Sequence, residues 1–536
     1  MVSAVLKNSN FKKLIWAIII VGIALRLAQY FYNRSLFIDE AALSLNLINR
    51  SFAGLFQPLD YDQGAPIGFL MVQKFLITLF GSSELILRLF PVAAGLIAIL
   101  LFYLLIKDRF TSDILLIAIL LFIVSNRLIY YSSVVKQYSP DVAVALALYL
   151  ISCKYHSNSK TDLSSVIFFG AIGAIAVWLS HPAVFVLAGA GTVIGIQALI
   201  KKDWISLARI SLVYLMWMIS FLLLYFVSLR GLTQNECLIN FWEEHFIPYP
   251  LAIKSSLKWF LSEFTSYIKY SLGFNLGDFI GIPVFKAGEF MPGLSDLSGF
   301  RYIGVIFIAL LAFASAITAT ICFLLGGYSL FRKNSTLLFI LISPALFTLI
   351  ASIFRKYPFG SRFLMFLIPI AYILIPVGME FISRKFQTHY KAIFIVLAIV
   401  LLAYPSILAG YHLIRPRTVE EIKPILNYLE ENKHENDVIY IYYGAYRACL
   451  YYEDRFSFGE LEIVSGSEQR NHIENYIPEL DKLMGNKRVW ILFSHVYDWV
   501  ELDEEEYFIE HLDEIGTRTE SYEAPGASIY LYNLND

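Results

Sequence analysis

Runs of roughly 20 apolar residues, the length that crosses about 30 Å of hydrocarbon, recur along this 536-residue chain and constrain its fold more than any other feature. They begin near Leu14, Ile86, Asp113, Val142, Ser165, Ala183, Ile205, Tyr302, Thr336, Arg362 and Ala392. Hydrocarbon offers the backbone no hydrogen bonds, so each run must satisfy its own N–H and C=O groups as a helix. The expected fold class is a polytopic α-helical membrane protein of about 11 transmembrane helices. Charged residues make up only 16% of the chain, against about 25% in soluble proteins. The net charge of -2, with cations dispersed through loops, argues against a nucleic-acid partner, which requires a basic face. Cys153, Cys237, Cys322 and Cys449 lie far apart and form neither a disulfide framework nor a metal-binding pair, so structural thiols are expected.

Lys7, Lys12 and Lys13 precede the first apolar run, which is too long for a secretory signal core and is followed by no small-residue cleavage site. It reads as a retained helix with the amino terminus in the cytoplasm. The stretch Pro66 to Phe80 is short and carries Gln73 and Lys74, so it either crosses or lies along the interface. If it does not cross, one face collects Lys107, Arg109, Lys154, Lys160, Lys201, Lys202, Arg332, Lys333, Arg384, Lys385 and Lys391. The positive-inside rule then makes that face cytoplasmic. Asp39, Glu40, Asp62, Arg88, Lys136, Asp141, His181, Arg355, Lys356 and Arg362 fall together on the outer face, where a membrane-surface site would lie.

The chain divides into a membrane domain over 1–410, with a first outer loop at 33–84 and a long one at 230–301, and a soluble α/β domain over 411–536 outside the cytoplasm. Within the long loop, Leu257, Phe260, Leu261, Phe264 and Ile268 recur at helical spacing among lysines, which predicts an interfacial helix over 250–274 and allows it to act as a lid. In the tail a helix is expected over 418–432, with strands over 437–443, 487–493 and 528–532. The tail has no phosphate loop and no metal-ligand cluster.

Asp39 and Glu40, adjacent at the end of the first apolar helix, are the leading catalytic candidates. Their side chains diverge by roughly 100° on a helix, so one of them faces any given reactive atom. A carboxylate there can act as a base or cap the next helix, and position alone leaves both readings open. Asp141, after Lys136-Gln137-Tyr138-Ser139-Pro140, is a second acidic candidate with the same capping alternative. Arg355, Lys356 and Arg362 flank a Pro and a Gly at a membrane boundary, where they could grip phosphate or merely snorkel. His181 stands alone, without a metal partner near it in sequence.

Taken together, the Asp-Glu pair, Gln63-Gly64-Ala65-Pro66-Ile67, Ser83-Glu84-Leu85-Ile86-Leu87-Arg88-Leu89, Tyr138-Ser139-Pro140-Asp141 and Tyr357-Pro358-Phe359-Gly360-Ser361-Arg362 resemble the motif series of polytopic GT-C glycosyltransferases. The branch resembled is that of the dolichyl-phosphate-mannose protein mannosyltransferases and aminoarabinose (ArnT-like) transferases, over roughly Leu14 to Gly410. The resemblance implies transfer of a hexosyl or pentosyl group from a polyprenyl-phosphate donor to a lipid, glycan or protein acceptor; in-line attack aided by one base would invert the anomeric centre, and no cofactor is required, with a divalent metal possible but not indicated. It makes Asp39 the base and Glu40 an orienting group. Arg88, Lys136, Arg355, Lys356 and Arg362 become candidates to hold the lipid phosphate, with Asp141 beside it. Gln63 departs from the His or Glu that the family often places before a Pro-Pro-Leu step. Two rival readings use the same features differently: a glycolipid flippase, which needs no base, and an O-antigen polymerase or ligase, which would depend on the long loop instead.

Overall fold

The computed structural model describes residues 9–157, 163–250, 252–273, 298–456, 461–470, 472–499 and 502–535. Seven of its helices are long and apolar enough to cross a membrane. They include Ser9–Tyr32, Glu84–Ile106, Ala183–Ile200 and the segments 204–232, 310–353, 361–385 and 387–414. The spans expected near Asp113 and Ser165 correspond to the shorter apolar helices Ser112–Ile123 and Leu163–Leu179. The spans expected near Tyr302 and Thr336 are two arms of one element, Ser298–Ile353, broken at Asn334. Ile67–Phe80 has 14 residues, about 21 Å of helix, which falls short of the hydrocarbon thickness.

Helices at the centre of the bundle touch backbone to backbone where glycine permits it. A Cβ on Gly326 would sit 1.9 Å from the Leu374 carbonyl oxygen, and one on Gly378 1.9 Å from that of Cys322. Small residues drive such contacts in lipid, where the hydrophobic effect between helices is absent. The expected interfacial helix is present as Ile253–Ser271, with Glu263, Ile268 and Ser271 buried and Ile253, Leu257 and Leu261 exposed. Most of the long loop beyond it, including Phe274, lies outside the described residues. Cys153, Cys322 and Cys449 are buried and Cys237 exposed, all as free thiols.

The tail folds around a five-stranded sheet of order β2-β1-β3-β7-β6. Its strands are β1 (Val438–Ile441), β2 (Glu462–Ser465), β3 (Val489–Ser494), β6 (Thr517–Ala524) and β7 (Ala527–Asn533), while β4 (Asp498–Trp499) and β5 (Leu502–Asp503) form a separate hairpin. β1 pairs in parallel with β2 and β3, and β7 pairs antiparallel with β3 and β6. Alternate residues of β1 face different cores. Val438 and Tyr440 join Phe508 and Leu512, whereas Ile439 and Ile441 join Ile422, Ile425 and Leu429 in a cluster continuous with the membrane helices.

Polar contacts tie the tail to the first loop. Ser35 donates N–H and hydroxyl bonds to Glu421 at 3.2 and 3.0 Å, the Leu36 N–H meets the Tyr452 hydroxyl at 3.0 Å, and the Ile38 N–H donates to Glu420 at 2.8 Å. Buried Glu84 pairs with Lys423 at 3.1 Å and accepts from the Tyr452 hydroxyl at 3.1 Å. Tail side chains thus satisfy backbone donors of a loop that has no ladder of its own.

Gly378→Ala is expected to lower the melting temperature of the detergent-solubilised protein by several degrees, since overpacking costs about 1–3 kcal/mol. Gly327→Ala, whose Cβ meets nothing within 4 Å, should leave it unchanged. Equal melting curves for the two variants would refute the close-contact account.

Candidate active site

The two adjacent carboxylates have separate fates. Ile38–Asn49 is a helix whose N-cap is Phe37, and neither acidic side chain caps it. Glu40 points inward and is fully buried. It accepts from Arg34 Nη1 at 2.6 Å, Arg88 Nε at 3.1 Å, Arg88 Nη2 at 3.0 Å and the Val135 N–H at 2.8 Å. Burial alone would raise its pKa, but Arg34 and Arg88 outweigh that and hold it below the ordinary glutamate value. Other arginine donors go to backbone carbonyls, Arg88 to Arg34 and Ser35 and Arg34 to Ser133, while Arg34 Nε makes no hydrogen bond among the described residues. Arg88 is therefore saturated inside the scaffold, away from the surface position that gripping a lipid phosphate requires, and Glu40 has no free oxygen with which to orient an acceptor.

Asp39 keeps a quarter of its side chain exposed and pairs with Arg362 Nη1 at 3.0 Å. Desolvation pushes its pKa up, yet the charges of Lys136 and Arg362, with a smaller contribution from His495, bring it down to about 2. Lys136 follows the Val135 N–H that Glu40 anchors, is buried, and hydrogen-bonds Gln63 Oε1. Burial lowers its pKa, with Asp39 opposing.

Arg362 reaches Asp39 because the preceding chain turns sharply. Gly360 has no room for a side chain, since a Cβ there would lie 2.3 Å from His245 Nδ1 and 2.5 Å from Glu263 Oε2. Ser361 takes the left-handed region at φ 47 before the 3-10 turn Ser361–Leu367 begins. The guanidinium is then flanked by Trp242 at 4.9 Å and Tyr138 at 5.7 Å from the ring centroids, and its Nε makes no hydrogen bond among the described residues.

Of the sequence-derived candidates, the structure brings Asp39, Lys136 and Arg362 together. Asp141 is buried, and its Oδ1 accepts no hydrogen bond among the described residues. Tyr138 lies within electrostatic range of both Asp39 and Asp141. Arg355 and Lys356 sit apart on the surface, bound to Glu243 and to the Thr233 carbonyl. Gln63, Trp242 and Tyr138 belong to the site without having been singled out for chemistry. Gln63 carried a signal as a departure from the family pattern, and Tyr138 as the first residue of a quoted motif, whereas Trp242 carried none. Among the described residues no three His, Cys, Asp or Glu side chains converge as a metal site would require.

The chain is thus an integral membrane protein, a helical bundle with a small α/β tail and one partly open carboxylate set among cations. No family model and no curated protein matches the sequence. Among solved structures, ArnT from Cupriavidus metallidurans bound to undecaprenyl phosphate matches 98% of both chains at 11% identity and a TM-score of 0.51. AglB, the oligosaccharyltransferase of Archaeoglobus fulgidus in complex with an inhibitory peptide and a dolichol-phosphate, matches 97% of this chain and 74% of its own at 12% identity and a TM-score of 0.51. Both are GT-C glycosyltransferases, and the chain has the ArnT-like GT-C fold that the motif series implied.

Glu40→Gln would leave Arg34 and Arg88 buried without a counter-charge, at a cost of about 3–5 kcal/mol. Asp39→Asn, in a partly exposed pair, should cost about 1 kcal/mol or less. Thermal unfolding in detergent should separate the two variants clearly, and a similar loss for both would contradict the inward and outward assignments.

Proposed function

We propose that the chain is a membrane glycosyltransferase that moves a sugar from a polyprenyl phosphate to an acceptor hydroxyl on the extracytoplasmic side. The observation that carries this reading is the Asp39–Arg362 pair, a carboxylate held ionised beside a guanidinium that pairs with no other acidic group among the described residues. Asp39 removes the acceptor hydroxyl proton, and the oxygen attacks the anomeric carbon opposite the phosphate. The carbon–oxygen bond to the phosphate breaks, and the phosphate leaves with the electron pair against Lys136 and Arg362. In-line displacement of this kind inverts the anomeric centre, and cations aimed at the leaving group supply electrostatic stabilisation. A polyprenyl phosphate is already a leaving group, so no nucleotide is needed, and no metal is needed where Lys136 and Arg362 neutralise the departing phosphate.

Roles shift relative to the sequence expectation. Lys136 and Arg362 serve as the phosphate clamp, Asp141 stays as a nearby acidic group, and Glu40 with Arg88 position the first loop. Arg355 and Lys356 hold the long loop through Glu243 and Thr233. In this reading the tail lies outside the cytoplasm and the amino terminus inside, with the membrane domain ending at the close of the helix Tyr390–Ile414 rather than at residue 410. A base with a pKa of about 2 is weak, because general-base catalysis is best near the working pH. The cations that depress Asp39 are the ones that bind the donor phosphate. Donor binding neutralises them and raises Asp39 toward useful basicity.

Purified protein with a labelled lipid-linked sugar should transfer it, and Asp39→Asn should lose about 10²–10⁴-fold in rate while still binding undecaprenyl phosphate. Retained turnover in that variant would remove the proposed base and favour a flippase.

The pH profile supplies a separate check. A depressed carboxylate is ionised above its folded pKa and loses its charge as pH falls through it. With donor absent, that point is about 2, so kcat/KM for the donor should be flat through the mildly acidic range. At saturating donor, kcat/KM for the acceptor should show an acid limb at higher pH. Coincident profiles would contradict priming by the donor.

A further inference from the structure

The helix that carries Asp39 begins without a cap of its own. Phe37 holds the N-cap position of Ile38–Asn49 and its side chain accepts no hydrogen bond, so the first N–H groups of the helix need a partner from elsewhere. Glu420 of the tail supplies one, accepting the Ile38 N–H on Oε2 at 2.8 Å. A carboxylate is also the charge that a helix N-terminus favours. Glu420 is buried, and the backbone group it fixes is next to Asp39.

Two parts of the tail hold Glu420 in place. The turn between β6 and β7 clamps its backbone, with the Glu421 N–H donating to the Pro525 carbonyl at 2.8 Å. Gly526 in that turn takes φ 69, and a Cβ there would lie 2.1 Å from the Val419 carbonyl oxygen, so glycine is what lets the turn approach. The second hold is on the side chain. Glu420 Oε1 lies 2.7 Å from Nδ1 of His495, the first residue after β3. A carboxylate oxygen accepts, so Nδ1 donates.

His495 takes the left-handed region at φ 53, a conformation that histidine, asparagine and aspartate adopt more readily than other side chains. Its ring meets Tyr497 edge-on at 4.6 Å between centroids and is 30% exposed. The ring also stands within electrostatic range of Asp39. A strand end, a hairpin tip and a borrowed cap thus converge on the start of one helix.

None of the chemical steps above uses either residue. We propose that Glu420 and His495 are positioning residues for the Asp39 base: the carboxylate caps the helix that presents Asp39 to the acceptor hydroxyl, and the imidazole holds the carboxylate in its capping position. The inference rests on the transferase reading and adds the two residues through which the tail sets the base. A misplacement of about 1 Å costs up to about 100-fold in rate. The loss therefore falls on kcat, while donor affinity, which rests on Lys136 and Arg362, stays as it was.

Three variants of the full-length protein in phosphatidylcholine nanodiscs test this. Glu420→Ala removes both bonds, His495→Gly removes the ring at a φ that glycine accepts without strain, and His495→Asn keeps a donor near the Nδ1 position on a tolerated backbone. With labelled lipid-linked sugar, the first two should lower kcat about tenfold or more, with KM for the donor and affinity for undecaprenyl phosphate unchanged. His495→Asn should recover most of the rate. Amide hydrogen exchange at Ile38 needs no turnover, and it should quicken about 2- to 30-fold in Glu420→Ala, the equivalent of losing one cap. It should quicken in His495→Gly as well and stay near the parent value in His495→Asn. Undiminished kcat in the first two variants, donor affinity lost along with kcat, or His495→Asn as slow as His495→Gly would overturn the assignment. Unchanged exchange at Ile38 would overturn it too, whereas quickened exchange beside an Asp39→Asn variant that still turns over would sink the transferase reading and leave the cap standing.

Discussion

A single buried carboxylate shared by two buried guanidinium groups sets the geometry on which everything else rests. Glu40 binds Arg34 from its own loop, Arg88 from the Glu84–Ile106 helix and the Val135 N–H from the segment ahead of Lys136. Such a set is expensive to desolvate, and its charges are offset here by direct ion pairs and backbone bonds. Here it joins three stretches of chain that would otherwise be independent, and Asp39 and Lys136 are each one residue away from an atom that Glu40 fixes. The candidate pair is thus positioned through its neighbours' bonds, while Asp39 itself meets Arg362 and Lys136 meets Gln63.

Most of the membrane helices were legible because hydrocarbon leaves the chain little choice, although the span expected near Val142 is the helix Tyr138–Ser157, which is not among the seven long and apolar enough to cross. In the tail, β1, β3 and β7 were legible because both their faces are buried, so they read as apolar runs. β6 reads Thr517-Arg518-Thr519-Glu520-Ser521-Tyr522-Glu523-Ala524 and is mostly exposed at an edge, and β2 is short and also at an edge. Neither carries a hydrophobic signal, and neither was anticipated.

The site was legible in part for a similar reason. Helical divergence showed that Asp39 and Glu40 face different ways, and motif order pointed to Arg362. What sequence did not carry was which cations are already spent. Arg88 and Glu40 are 48 residues apart, and nothing local to either announces the pairing. Trp242 and His495 come from a polar loop and a tail turn without any pattern, and only the fold sets them beside Arg362 and Asp39.

The contacts between tail carboxylates and the first loop carry a consequence for the order in which this protein matures. Glu420 bonds a backbone group 382 residues earlier, and Glu421 one 386 residues earlier. Loop closure over such separations comes late in folding. During synthesis the turn around Asp39 therefore waits for these contacts until the segment carrying Glu420 and Glu421 has been made. The candidate site has a built-in delay: the helices that precede the tail can form before the turn that carries Asp39 is held in place.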